Sequence, residues 1–259
     1  MKDNYWENVN ADNCCRICGK PDWCSRNEKE GLEICQREKK DGGESKKDKN
    51  GEKYFLYGAK KNNNLTLPEE KCSEVYNDLL NLLDLDADDE KSLIDRGFTH
   101  EQIQERGYKS LPSTGRREIV NELLERHGKE QLELVPGVFE SKKYSFPYLT
   151  LAGYEGILVP CRNDTGLVSC LKIRASGKVV ENKYSYFSSK KHGGPGARKS
   201  IHVPIRSVIK SYQDNCIRFT EGELKSDLAT ELSDIHTLSV PGVNSYKLAI
   251  NYLNTHPEI

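Results

Sequence analysis

From residue 68 to 134 the apolar positions recur at helical spacing. Pro68-Glu69-Glu70 opens a helix with proline and two acids in its first turn, and Val75, Leu79, Leu80, Leu82 and Leu83 give it an apolar stripe. Asp88 or Asp89 is positioned to cap a second helix through Leu93 and Ile94 that ends at Gly97. Thr99-x-x-Gln102 is a capping-box pattern for a third, running to Gly107, and Glu118 to His127 supplies a fourth, ended by Gly128. The acids of this segment read as a solvated helix face, with no catalytic role.

Between 136 and 188 the period shortens to that of strands. Gly156 to Pro160 and Leu167 to Arg174 flank the turn Arg162-Asn163-Asp164-Thr165-Gly166, and Tyr184 to Phe187 is a further β-type run. Nearer the amino terminus, Leu32-Glu33-Ile34 and Lys53 to Tyr57 alternate as short strands, with Glu28 to Gly31 as a hairpin turn. Residues 39–64 are otherwise rich in Lys, Gly, Asp and Asn and read as loop or linker. At the other end, Cys216 to Thr220 (strand), Leu228 to Leu232 (helix), His236 to Gly242 (strand and turn) and Ser245 to Leu253 (helix) form a β-α-β-α order, which implies a parallel sheet.

Composition narrows the class. The 259 residues are 36% hydrophobic and 31% charged, polar but not the balance of a disordered chain. No apolar run approaches the roughly 18–20 residues that cross a bilayer, and the start, Met1-Lys2-Asp3-Asn4-Tyr5-Trp6, has no secretory apolar stretch. A cytoplasmic protein without membrane partners is expected. The net charge of −1 conceals a segregation: residues 69–140 carry −9 and residues 141–212 carry +10. The basic block is either a phosphate-binding surface or a solvated face that pairs with the acidic segment.

Five of the nine cysteines lie within 22 residues: Cys14, Cys15, Cys18, Cys24 and Cys35. In a reducing compartment such a cluster points to a metal rather than to disulfides. Cys15-x2-Cys18-Gly19 is a zinc knuckle, in which two thiolates reach one ion at about 2.3 Å, and Cys24 and Cys35 complete an all-cysteine tetrahedral site. Cys14 can replace Cys15 in that set, and a redox pair or buried free thiols are the alternatives. A piece so small and polar has little apolar burial of its own, which favours structural Zn2+.

Two further features carry chemistry. The loop Lys190-Lys191-His192-Gly193-Gly194-Pro195-Gly196-Ala197-Arg198-Lys199 is basic and glycine-rich. Its amides and cations suit phosphates, although loops of this composition also occur as plain surface segments. In Phe219-Thr220-Glu221-Gly222-Glu223-Leu224-Lys225-Ser226-Asp227, a carboxylate ends a strand and glycine permits the turn, where parallel α/β sheets hold their ligands.

The segment from Cys15 through Cys24 to Ile34-Cys35 resembles the amino-terminal zinc region of primase-like proteins from phages and mobile elements, with Arg16 in place of the usual proline and Gln36 before Arg37. Further on, Arg96-Gly97, Leu158 to Gly166, Ile173-Arg174 and Lys183-Tyr184-Ser185-Tyr186-Phe187-Ser188 follow the order of motifs in the catalytic core of bacterial replicative primases. The strand-Glu-Gly-x-x-Lys-x-Asp stretch, followed by Val240-Pro241-Gly242-Val243, is similar to the first motif of the TOPRIM fold. The resemblance implies an α+β multidomain fold: a zinc ribbon (1–60), a linker (61–67), a helical segment (68–135), a β-rich basic primase-core-like region (136–212) and the first half of a TOPRIM-like domain (213–259).

It also implies roles. Arg174 and Lys183 would line a groove for template and nucleotide, joined by Lys190, Lys191, Arg198 and Lys199. Glu221 would support divalent-metal chemistry with Mg2+ or Mn2+, with Lys225 and Asp227 as secondary catalytic candidates. The partners implied are single-stranded DNA and nucleotides, with a replicative helicase as a further candidate. One departure stands out. The family's second motif, Asp-x-Asp, does not follow residue 227, and Asp84-Leu85-Asp86 has the spelling but is expected upstream on a helix. The sequence is therefore expected to be a fragment or a domain with an incomplete metal site. The leading expectation is a primase-like replication protein. A non-catalytic zinc- and nucleic-acid-binding module is the alternative, and a nuclease or topoisomerase relative ranks third.

Overall fold

The computed structural model describes residues 6–28, 31–40, 43–58, 67–141, 146–176, 183–209, 216–233 and 235–257. Part of the expected Glu28–Gly31 turn and nearly all of the 61–67 linker lie outside these residues. The chain divides into two compact units, Met1–Asn62 and Asn63–Ile259.

The first unit is one antiparallel sheet of short strands: β1 (Glu7–Asn8), β2 (Ser25–Asn27), β3 (Leu32–Cys35), β4 (Glu44–Lys47) and β5 (Lys53–Gly58), in the order β1-β2-β3-β5-β4. Its buried apolar cluster is Val9, Cys15, Cys24, Cys35 and Tyr57, with Ile17, Cys18 and Phe55 packed against it. Cysteine supplies much of that core, so its stability depends on what the thiols bind.

The second unit opens with helices α1 (Glu69–Asn81), α2 (Ala87–Ile94) and α3 (His100–Arg106), followed by strand β6 (Lys109–Leu111) and helices α4 (Arg116–His127) and α5 (Lys129–Leu132). The capping box at Thr99 and Gln102 is present, and Gly107 ends α3 in the left-handed conformation with φ 69°. The cap of α2 differs from expectation: Asp86 accepts the Asp88 amide at 2.9 Å. Asp89 is instead buried, accepting from Ser110 Oγ at 2.6 Å and from Ser176 Oγ. Asp84-Leu85-Asp86 accordingly lies in the connection before α2, not on a helix.

A β-hairpin, β7 (Val138–Ser141) with β8 (Tyr148–Leu151), leads to β9 (Gly156–Arg162), β10 (Val168–Ala175) and β11 (Tyr184–Tyr186). These join β6 in an antiparallel sheet ordered β11-β10-β9-β6. Gly156 is required where β9 meets β10, because a Cβ there would lie 2.2 Å from the Arg174 carbonyl oxygen. Every residue of β10 is buried, as in a strand covered on both faces. Alternation puts Leu171 and Ile173 on the face toward α1, and Cys170, Lys172 and Arg174 on the other.

After helix α6 (Ile205–Ile209), strand β12 (Arg218–Glu221) runs into helix α7 (Glu223–Ser233), then strand β13 (Thr237–Val240) and helix α8 (Tyr246–Thr255). β12 and β13 pair in parallel, as the β-α-β-α pattern requires, with Glu221 opposite Val240 and α7 packed on both strands. Among the described residues, no helix is long and apolar enough to cross a membrane.

Candidate functional site

In the first unit Cys15, Cys18, Cys24 and Cys35 bring their sulfurs within 4.8 Å of one another. Cys18 and Cys24 are 3.8 Å apart, Sγ to Sγ. A tetrahedral ion with bonds of about 2.3 Å requires sulfur–sulfur edges of about 3.8 Å, so the four residues fit zinc in a closed structural site. Cys14 stands outside the group, its Sγ turned to the Ala11 carbonyl at 3.6 Å. The knuckle is tightened by the Gly19 amide donating to the Cys15 carbonyl at 2.8 Å, with Gly19 at φ 70°. The Cys35 sulfur accepts the Glu38 amide at 3.4 Å. Burial pushes the Cys15 and Cys24 thiols up in the absence of a cation.

In the second unit Glu221 is exposed at the carboxyl end of β12. Gly222 follows at φ 95°, which lets the chain turn into α7 at once. A Cβ on Gly242, in the turn after β13, would sit 3.9 Å from Glu221 Oε1, an ordinary contact distance, so the carboxylate lies over the adjacent strand end. Lys225, in the first turn of α7, is also exposed.

Glu223 and Asp227 face the opposite way. Glu223 is buried and accepts from Lys172 Nζ at 2.5 Å, and the ammonium also sits 5.1 Å above the Tyr186 ring. Asp227 is buried and accepts from the Tyr108 hydroxyl at 2.5 Å and from His202 Nε2 at 3.1 Å, with Arg106 Nε at 3.7 Å. The Arg162 amide donates to His202 Nδ1 at 3.0 Å, which fixes the tautomer carrying its proton on Nε2. Burial alone would raise the Asp227 pKa, yet His202, the Tyr108 hydroxyl and Arg106 hold it below the usual carboxylate range. Glu231 is likewise lowered against burial by Arg106 and Arg206, to both of which it is hydrogen-bonded. These groups clamp α3, α6 and α7 together. Of the three catalytic candidates, the structure leaves Glu221 and Lys225 open and consumes Asp227 in this network.

The basic candidates also separate. Lys190 and Lys191 form an exposed 3-10 turn and line a cavity of about 580 Å³ with Tyr154, Ser185, Tyr186 and His192. Lys183 and Lys199 are exposed. Arg174 is buried beside Tyr184 in the β10–β11 register, with its Nε lacking a hydrogen-bond partner among the described residues. Arg198 donates to the Leu67 carbonyl at 2.5 Å and so ties its loop to the start of α1.

Lys172, Tyr108, His202 and Glu231 were missed by sequence reasoning. Lys172 left a readable signal, a lone ammonium alternating with apolar residues in Leu171-Lys172-Ile173, whereas the other three come together only through tertiary contact.

No family model and no curated protein match the chain. Solved structures do. The RNA polymerase domain of Mycobacterium tuberculosis primase DnaG, solved with a double-stranded DNA oligomer carrying a 6-nucleotide overhang, aligns at TM-score 0.57 and 15% identity over 71% of this chain and 58% of that one. The zinc-binding and RNA polymerase domains of Aquifex aeolicus primase align at 0.54 and 13%, over 73% and 46%. A DnaG primase catalytic domain bound to single-stranded DNA aligns at 0.52 and 13%, over 71% and 60%. The chain thus shares the mixed α/β fold of bacterial primase catalytic cores, and it spans about half of the length of those chains.

Proposed function

We propose that this chain is a primase-type replication protein that binds single-stranded DNA template and presents Glu221 to the nucleotidyl-transfer site of a TOPRIM-like domain. The observation that carries the reading is the contrast among the acids around β12 and α7. Among the described acids of this region Glu221 alone is exposed, at the carboxyl end of a parallel pair between two glycines, while Glu223, Asp227 and Glu231 are paired internally. Such a strand end is where open α/β sheets place their ligands, and the chain shares its mixed α/β fold with bacterial primase catalytic cores. In primer synthesis a 3′-hydroxyl attacks the α-phosphorus of an incoming nucleotide and pyrophosphate leaves, so positioning and charge neutralisation dominate. Lys190 and Lys191 supply cations for phosphates, and Tyr154 and Tyr186 offer ring surface for bases. The zinc centre would hold the ribbon folded, and the ribbon would also touch the single-stranded template.

The described residues do not by themselves fit a bound Mg2+ or Mn2+. Among the described residues, the thiolate group is the one cluster of three or more metal-ligating side chains. That observation favours a second reading, a zinc- and nucleic-acid-binding module without its own chemistry. Primer synthesis on single-stranded DNA, with wild type beside Glu221→Gln, separates the two. Product from wild type alone supports catalysis at Glu221. Equal product from both removes Glu221 from the site, and no product from either, with DNA still bound, supports the module.

A further inference from the structure

Trp23 is 75% exposed, the most exposed large aromatic among the described residues. It is also the one described non-glycine residue with a left-handed backbone, at φ 63°. That conformation is disfavoured for any residue with a Cβ and especially for a bulky one, and it persists only where the surroundings impose it. Here they do. Trp23 lies directly before the zinc ligand Cys24, in the loop closed by Cys18 and Gly19. The Arg37 guanidinium stands 4.8 Å over the indole and donates to Asp22 at 2.7 Å. The ribbon therefore accepts backbone strain to hold an indole outward, with a cation on one face and most of its surface in water.

We propose that Trp23 is a stacking platform for an unpaired nucleobase, with Arg37 backing the ring and Lys20 beside it attracting the phosphate. This deepens the reading of the chain as a single-strand binder and rests on it. The chemistry selects a base over a protein partner. The loop around the indole is Lys20, Pro21 and Asp22, all exposed, so the aromatic surface is isolated rather than part of an apolar patch of several hundred Å². An isolated ring flanked by cations is how single strands are held without sequence readout. Asp22, which would repel phosphate, is neutralised by Arg37.

The chain has two tryptophans, so Trp6→Phe makes Trp23 the sole indole reporter. In the full chain loaded with zinc, a short deoxythymidine oligomer carrying a fluorescent label reports binding by anisotropy, while indole emission reports contact. An oligomer of the same length built of abasic residues is the control. The expected result is quenching of Trp23 by the thymidine oligomer and not by the abasic one. Trp23→Ala should weaken thymidine binding by roughly tenfold or more, with Trp23→Phe retaining most of the affinity. Trp23→Gly relieves the backbone, so it should keep one zinc per chain and full thermal stability while binding as weakly as Trp23→Ala. Binding with unchanged affinity in Trp23→Gly and no quenching would overturn the platform while leaving the single-strand reading intact. Loss of zinc in Trp23→Gly would make Trp23 a folding residue and overturn it as well. Absence of any anisotropy change in wild type would remove the single-strand reading itself, and the platform with it.

Discussion

Lys172 Nζ lies 2.5 Å from Glu223 Oε1 with both side chains buried, two residues along the chain from the exposed carboxylate of Glu221. The pair ties the central strand β10 to the first residue of α7, and so fixes where β12 ends. A buried pair of this kind contributes little against an apolar substitute, but breaking it leaves one charge without a partner. Lys172→Met should therefore cost about 3–5 kcal/mol in urea denaturation, while Lys172→Met with Glu223→Leu should recover most of that loss. A single variant no less stable than the double would show that the pair is not what positions α7.

The Asp227 network gives a signed pH dependence. Asp227 and Glu231 both have folded pKa values below their ordinary ones. Ordinary values for Asp and Glu are about 3.9 and 4.3, so their contribution is fully present above that range and is lost as pH falls through it toward the folded values. Wild-type stability, followed by denaturant titration between neutral pH and pH 3, should fall on the acid side. Asp227→Asn should lower stability at neutral pH and flatten the acid limb. Parallel acid limbs in the two proteins would exclude Asp227 as a source of the dependence.

What was legible in the sequence is what local chemistry decides. The Thr99–Gln102 box, the Gly107 stop, the helix from Pro68 and the parallel β12–β13 pair all follow from residues within one element or its neighbour. The thiolate set was also readable, because ligand spacing constrains it, and the structure resolves Cys15 over Cys14. The choice between acids was not readable. Glu221, Glu223 and Asp227 are equivalent as letters, and only the packing of α7 against Lys172, Tyr108 and His202 makes two of them internal. The cap of α2 failed for the same reason: Asp89 is drawn inward by Ser110 and Ser176, which lie 21 and 87 residues away.

The zinc centre should carry the folding of the first unit, whose apolar cluster is mainly the ligand cysteines themselves. Removing zinc with a chelator, or Cys35→Ser, should abolish one bound zinc per chain and raise hydrogen exchange across residues 15–35 to the level of unstructured peptide. Cys14→Ser should leave both unchanged, since its sulfur lies outside the group. Full protection after complete loss of zinc would mean that the β3–β5 pairing holds without the ion.

Lys190 and Lys191 differ from Arg198 although all three belong to one basic loop. The lysines are exposed at the rim of the cavity with Tyr154 and Tyr186, whereas Arg198 donates inward to the Leu67 carbonyl. Each phosphate contact to a single strand adds about 0.7 to the slope of log affinity against log salt. Lys190→Ala with Lys191→Ala should reduce that slope by about 1.4, weakening binding most at low salt. Arg198→Ala should instead leave the slope near wild type and lower thermal stability, because what it loses is the tie to the start of α1. Fluorescence anisotropy with one oligomer across a salt series reads both. An unchanged slope in the double variant would move the phosphate path away from this loop, and a slope lowered by Arg198→Ala alone would place Arg198 on that path despite its internal hydrogen bond.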